Sequence, residues 1–148
     1  MEVVASVEVP VSPEVLFSYI SDLANYPRWL ELVHSASAVD DSDDKTRPTW
    51  QVELQARIGV FARSKRLRMT RTICEAPNLV VFERNEQDSR KHSDWVLRAM
   101  VTATPVGAEL VTNLNYSGKL FTNTVLERAL ADQIKTGREK LIQQLSAK

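Results

Sequence analysis

Along most of the chain, hydrophobic and polar positions keep a regular period, and that period changes from one segment to the next. Residues 2–9 put Val3, Ala5, Val7 and Val9 on one parity, which predicts a first strand. In "VSPEVLFSYISDLANYPRWLELV", residues 11–33, the spacing becomes helical. Ser12 is placed to cap, Pro13 suits the first helical position, and Glu14 complements the positive end of the helix dipole. Val15, Leu16, Tyr19, Ile20 and Leu23 then recur on one face, and Pro27 interrupts. Two short helical pieces are expected, with Tyr26, Trp29 and Leu30 crowded round the break.

The middle of the chain reads as strands. "HSASAVDDSDDKTRP" carries Asp40, Asp41, Asp43 and Asp44 and is expected to be a turn region. "WQVELQARI" (50–58) alternates strictly, with Trp50, Val52, Leu54, Ala56 and Ile58 on the dry side. Further strands are expected at 64–73, 79–87, 93–105 and 108–118. In these, Leu67, Met69 and Ile73 share a phase, as do Trp95, Leu97, Ala99, Val101 and Ala103, and as do Leu110, Thr112, Leu114 and Tyr116. Strands in sequence joined by tight turns form an antiparallel meander with one covered face. The period then returns to helical over 123–145, where Thr124 and Glu127 have capping-box spacing. Leu126, Leu130, Ile134, Leu141 and Leu145 form a stripe that Gly137 completes. Close approach to the sheet is the expected reason for a glycine there, since glycine in a helix interior costs about 1 kcal/mol against alanine.

Composition alters this picture little. The chain has 148 residues, enough for one domain with a sizeable core, and 19 basic against 19 acidic residues, so net charge argues for no polyanionic partner. A single cysteine, Cys74, forms no internal disulfide. No signal-peptide pattern or 18-residue apolar run occurs, so a cytoplasmic protein is expected.

The order of strand, two short helices, five or six antiparallel strands and a long amphipathic helix resembles the helix-grip, START-like superfamily, SRPBCC, also described as the polyketide cyclase/dehydrase and lipid-transport family. The resemblance covers essentially the whole chain, with residues 11–33, "DWVLRAMVTATPVGAELV" and the terminal helix as its most telling pieces. It is similar in particular to small actinobacterial-type stand-alone members and to quinone-binding relatives. The resemblance implies an α+β fold in which a curved antiparallel sheet wraps the C-terminal helix, 1–148 being a single START-like ligand-binding domain. It also implies an apolar tunnel for a lipid-like, aromatic or polyketide ligand. Mapped onto this sequence, the walls would be Trp50, Val52, Leu54, Met69, Phe82, Trp95, Leu97, Leu114 and Tyr116 from strands and Leu126, Leu130 and Ile134 from the helix. Trp29 and Leu30 on one side, with Val60 and Phe61 on the other, would flank the mouth. From periodicity alone, the same inward residues also describe a dry core.

Polar candidates are few. Arg71 shares the phase of Leu67, Met69 and Ile73 if no bulge shifts the register, and a guanidinium on a covered face needs a carboxylate or a ligand head group. Arg84 has the same parity as Val80 and Phe82. Thr112 and Tyr116 bring hydroxyls to an apolar face. His34 and His92 are the only histidines. No HExxH, CxxC or glycine-rich loop occurs, so neither a metal nor another cofactor is expected. If the protein is an enzyme, a cyclase or dehydratase is the type implied, with Arg71 and Tyr116 as polariser and proton donor and His92 as a third candidate. Arg57, Arg63, Lys65, Arg66, Arg68 and Arg71 cluster within 57–71 around the apolar turn Ile58–Phe61. Such a hairpin suits a lid, or a transient contact with a membrane surface. The aromatic interleaving of single-strand RNA platforms is missing, which argues against nucleic acid. The resulting expectation is a carrier or sensor of a hydrophobic molecule. The alternatives are an aromatic polyketide cyclase and a ribosome-associated interaction protein with a vestigial pocket.

Overall fold

The computed structural model describes residues 2–39, 47–58, 61–117 and 123–146, and for 56–58, 61–62 and 123–131 it describes the backbone alone. Alternation along the first segment gives strand β1 (Glu2–Val9), with Val3, Val7 and Val9 buried. The helix signals at Ser12 and Pro13 are used as read. Helix α1 (Pro13–Ile20) starts at Ser12, whose hydroxyl accepts from the Val15 amide at 3.3 Å. Its buried face is Leu16, Phe17, Tyr19 and Ile20, while Val15 is 41% exposed. Phe17 takes the place expected of Val15, because the helix lies one position round from the stripe chosen on sequence. A 3-10 helix (Leu23–Arg28) follows, capped by Asp22, whose carboxylate accepts from the Ala24 amide at 2.9 Å.

Six more strands complete the sheet: β2 (Val33–Ala38), β3 (Thr49–Ile58), β4 (Phe61–Glu75), β5 (Leu79–Arg84), β6 (Trp95–Thr104) and β7 (Gly107–Tyr116). All pair antiparallel in the order β1-β7-β6-β5-β4-β3-β2, and the sheet curls into a half-barrel against the long helix α2 (Asn123–Ser146), the helix-grip α+β arrangement. Strand β2 lies in a segment expected to be a turn. Its small residues carry little hydrophobic signal, and it is an edge strand held by backbone pairing, with Ala36 opposite Val52 and Ala38 opposite Trp50. The acidic run from Asp40 to Asp44 lies outside the described residues. Strand β5 ends at Arg84, short of the expected 87, where the side chain turns to Glu86 and Ser93.

Strand β4 contains a bulge, but it follows Arg71, which keeps the phase of Met69. Arg71 pairs with Phe82 but Ile73 pairs with Val81, so Thr72 is the extra residue. Beyond the bulge the alternation is lost, and Ile73 is 37% exposed instead of inward.

Three neighbouring positions on α2 hold it in place. Gln133 accepts from the Leu32 amide, and Arg138 Nε donates to the Glu8 carbonyl at 2.8 Å. Gly137, one turn beyond Gln133, lies against the carbonyl of Trp29, where a Cβ would overlap that oxygen. The glycine therefore answers to the end of the 3-10 helix and not, as expected, to the sheet. Ile134, Leu141 and Leu145 are buried on the same face. No described helix is long and apolar enough to cross a membrane.

Candidate functional site

The concave face is closed over by the 3-10 helix, and a chain of rings holds that helix down. Tyr26 lies 5.6 Å from Trp29 and 6.2 Å from Phe82, and Phe82 meets Trp50 edge-on at 5.6 Å. The Tyr26 hydroxyl donates to the Ile20 carbonyl at 2.9 Å, and full burial pushes its phenol above the ordinary value, so it stays a neutral donor. These contacts make Phe82 and Trp50 core residues supporting the cover.

Beneath this cover the packing leaves an apolar cavity of about 60 Å³. Leu23 and Tyr26 of the 3-10 helix, and Leu30, Leu32 and Val33 after it, form the roof. The walls are Val52 and Leu54 from β3, Leu67 and Met69 from β4, Trp95 and Leu97 from β6, and Thr112 and Leu114 from β7. Ile134 closes the cavity from α2. The strand pairing brings these side chains together, since Val52 faces Leu67 and Leu97 faces Leu114 across neighbouring strands.

Of the residues expected to bind, Leu30, Val52, Leu54, Met69, Trp95, Leu97, Leu114 and Ile134 line this cavity. Trp29, Trp50, Phe82 and Tyr116 are buried but do not line it. The side chains of Phe61, Leu126 and Leu130, and the whole of Val60, lie outside the described residues. Leu23, Tyr26, Leu32, Val33 and Leu67 were not expected. Leu67 could have been found, because it shares the phase of Met69, whereas Leu32 and Val33 belong to a segment without a periodic signal.

The polar candidates are dispersed. Arg71 does not reach the cavity; at the bulge its Nη1 donates to the carbonyl of Ser21, which ends α1, at 3.0 Å. Tyr116 stacks on Trp95 at 4.7 Å and borders an outer cleft with Arg84 and Asp94; burial pushes its phenol upward. His92 sits in the loop before β6, with Nε2 2.7 Å from Asp88 and Nδ1 3.4 Å from the Arg84 guanidinium. The hydrogen bond from His92 holds the exposed Asp88 carboxyl below its usual range. None of the three catalytic candidates lines the cavity: Arg71 bonds to Ser21, while Tyr116 shares the outer cleft with Arg84, the residue that His92 contacts. Arg84 is spent on Glu86, Ser93 and His92. Thr112 donates to the Ala5 carbonyl at 3.2 Å. Within the basic hairpin, Arg63 and Arg66 are exposed, while Arg68 is buried and donates to the Asn85 carbonyl at 2.8 Å. Burial and the nearby Arg84 push the Lys65 ammonium down.

The cavity makes a specific prediction. Val52→Leu adds one methylene to a wall that has room for it, so thermal denaturation should show unchanged or raised stability. In a filled core the same enlargement costs about 1–3 kcal/mol, and a loss of that size would show that Val52 borders no usable space.

Solved structures share this architecture. TTHA0849 of Thermus thermophilus superposes with a TM-score of 0.72 at 17% identity, covering 99% of this chain and 98% of that one. A START superfamily protein of Mycobacterium smegmatis gives 0.68 at 17% identity, covering 99% and 97%. The di-domain ARO/CYC StfQ of the steffimycin biosynthetic pathway gives 0.61 at 11% identity, this chain matching 50% of its length. No curated protein matches by sequence. The family described as "Polyketide cyclase / dehydrase and lipid transport" matches residues 1–146, and the chain belongs to that family.

Proposed function

We propose that the protein binds a hydrophobic small molecule, lipid, quinone or polyketide-like, between the sheet and α2, and works as a cytoplasmic carrier or sensor with the whole chain as one binding unit. The observation that carries this reading is the cavity itself: an almost wholly apolar space between the sheet, the 3-10 helix and α2, in a family described by lipid transport. Protein interiors hold few voids larger than a water molecule. Its volume of about 60 Å³ is below the ~150 Å³ that admits benzene and far below the ~300–1,000 Å³ of ligand clefts. Uptake therefore requires the cover to lift or the walls to spread. Met69, unbranched and flexible, suits such adjustment. The basic hairpin at 57–71 would bring the protein to an anionic membrane surface during transfer.

Native mass spectrometry of freshly purified protein tests this reading. The expected result is a noncovalent adduct that is released into organic solvent on denaturation. Only the bare chain mass, with no uptake from added lipid or quinone, would sink it. The small volume favours a second reading, an interaction protein with a vestigial pocket, and that result would support it. An aromatic cyclase activity has family membership on its side, but among the described residues no carboxylate, histidine or other charged group lines the cavity.

A further inference from the structure

The strap that carries the chain from the 3-10 helix into β2, residues 30–34, separates two spaces. Leu30 and Leu32 line the apolar cavity, while Glu31 and His34 line an outer cleft of about 490 Å³ with Pro27, Gln55 and Gln133. Val33 borders both, so at that point a single side chain stands between them. Opposite the strap, α2 divides in the same way: Ile134 closes the cavity and its neighbour Gln133 faces the cleft. Few contacts close the seam between strap and helix. Gln133 accepts from the Leu32 amide, Gly137 lies against the Trp29 carbonyl, and Lys140 is 3.8 Å from Glu31 with both side chains exposed. An exposed ion pair of that length contributes little. The Leu30 and Val33 amides donate to Tyr26 and Leu30, and the Leu32 carbonyl accepts from Gln55 of β3. Among the described residues, the Leu32–Gln133 bond is therefore the hydrogen bond that joins strap to helix. It uses a side chain, which a rotamer change releases without breaking a rung of helix or sheet. The neighbouring closures are firmer: rings pin the 3-10 helix, and Arg138 bonds the far side of α2 to Glu8.

We propose that the seam between residues 30–34 and α2 is the entrance to the cavity, and that Gln133 is the latch that keeps it shut. Breaking the Leu32–Gln133 bond lets Leu32 and Ile134 part. The cleft outside then serves as the vestibule through which a hydrophobic molecule reaches the cavity. The bond is present in the closed protein with or without a ligand and absent only in the open form. It therefore sets the rate of exchange and leaves affinity alone. This inference rests on the binding reading above and adds the route.

The test follows exchange of N-phenyl-1-naphthylamine, a neutral probe that fluoresces in apolar surroundings, by stopped-flow mixing with the full chain. Gln133→Met keeps the length of the side chain and removes the acceptor. Loss of that one hydrogen bond should raise association and dissociation rates together by about tenfold, with Kd unchanged. Gln133→Glu restores an acceptor oxygen and should return both rates to the wild-type range. A second arm replaces the exposed Cys74 by serine, introduces Glu31→Cys and Lys140→Cys, and joins the two across the seam with bismaleimidoethane. The tether should slow both rates by about tenfold or more. If the probe binds but Gln133→Met or the tethered protein exchanges it at the wild-type rate, the inference is overturned while hydrophobic binding stands. A weaker Kd in Gln133→Met without faster association would reveal a merely structural glutamine and overturn it equally. If the probe does not bind the wild type, the binding reading falls and this inference with it. The tethered arm decides even if Gln133→Met fails to fold.

Discussion

Replacing Gly137 by alanine should destabilise the protein by about 3 kcal/mol or more, although the same change in most helices is favourable by about 1 kcal/mol. The sign is reversed by one contact. A Cβ at this position would overlap the carbonyl oxygen of Trp29 and lie 3.4 Å from its ring. The obstacle is backbone, fixed by the 3-10 helix and by the Tyr26–Trp29 ring contact, so it cannot swing aside as a side chain would. Relief requires α2 to back away, which would also stretch the Gln133 bond to Leu32. Thr136→Ala, one residue earlier at an exposed position, serves as the control and should be neutral or slightly stabilising. Chemical denaturation of the two variants checks both, and a Gly137→Ala variant as stable as the wild type would show that the helix is not seated on Trp29.

Phe82→Ala should cost about 3–5 kcal/mol. Phe82 is 0% exposed and takes edge contacts from Tyr26 above and Trp50 beside it, so truncation leaves a void that neither neighbouring ring can refill by a rotamer change alone. The loss also removes the post under the 3-10 helix. The variant should therefore take up apolar probes faster even at temperatures where it is fully folded. A loss under 1 kcal/mol in equilibrium denaturation would mean that the ring chain does not hold the cover.

The strands that were legible beforehand are those with one wet and one dry face. β3, β6 and β7 alternate, and that alternation placed Val52, Leu97 and Leu114 on the concave side. β2 was not legible, because small residues on an edge strand give no contrast between faces. The site was readable only as far as parity reaches. Parity cannot separate Leu97, which borders the void, from Phe82, which fills the core beside it; that distinction depends on side-chain packing across several strands. Ile73 shows the other limit. A single extra residue, Thr72, alters the phase of β4 beyond Arg71, and nothing in "RMTRTI" announces it. Gly137 was recognised as a contact residue, but its partner Trp29 lies near the other end of the chain, in a segment whose conformation sequence alone did not define.

The placement of β1 beside β7 also constrains how the chain is made. Thr112 bonds to Ala5 across 107 residues, and Arg138 bonds to Glu8 across 130. During synthesis at roughly 5–20 residues per second, the first strand waits on the order of 5–20 s before its partner has been polymerised. Throughout that interval Val3, Val7 and Val9 have no sheet to cover them. A nascent chain stalled before β7 should consequently be an obligate client of chaperones, and protease protection of its N-terminal segment should appear only once α2 has cleared the ribosomal exit tunnel.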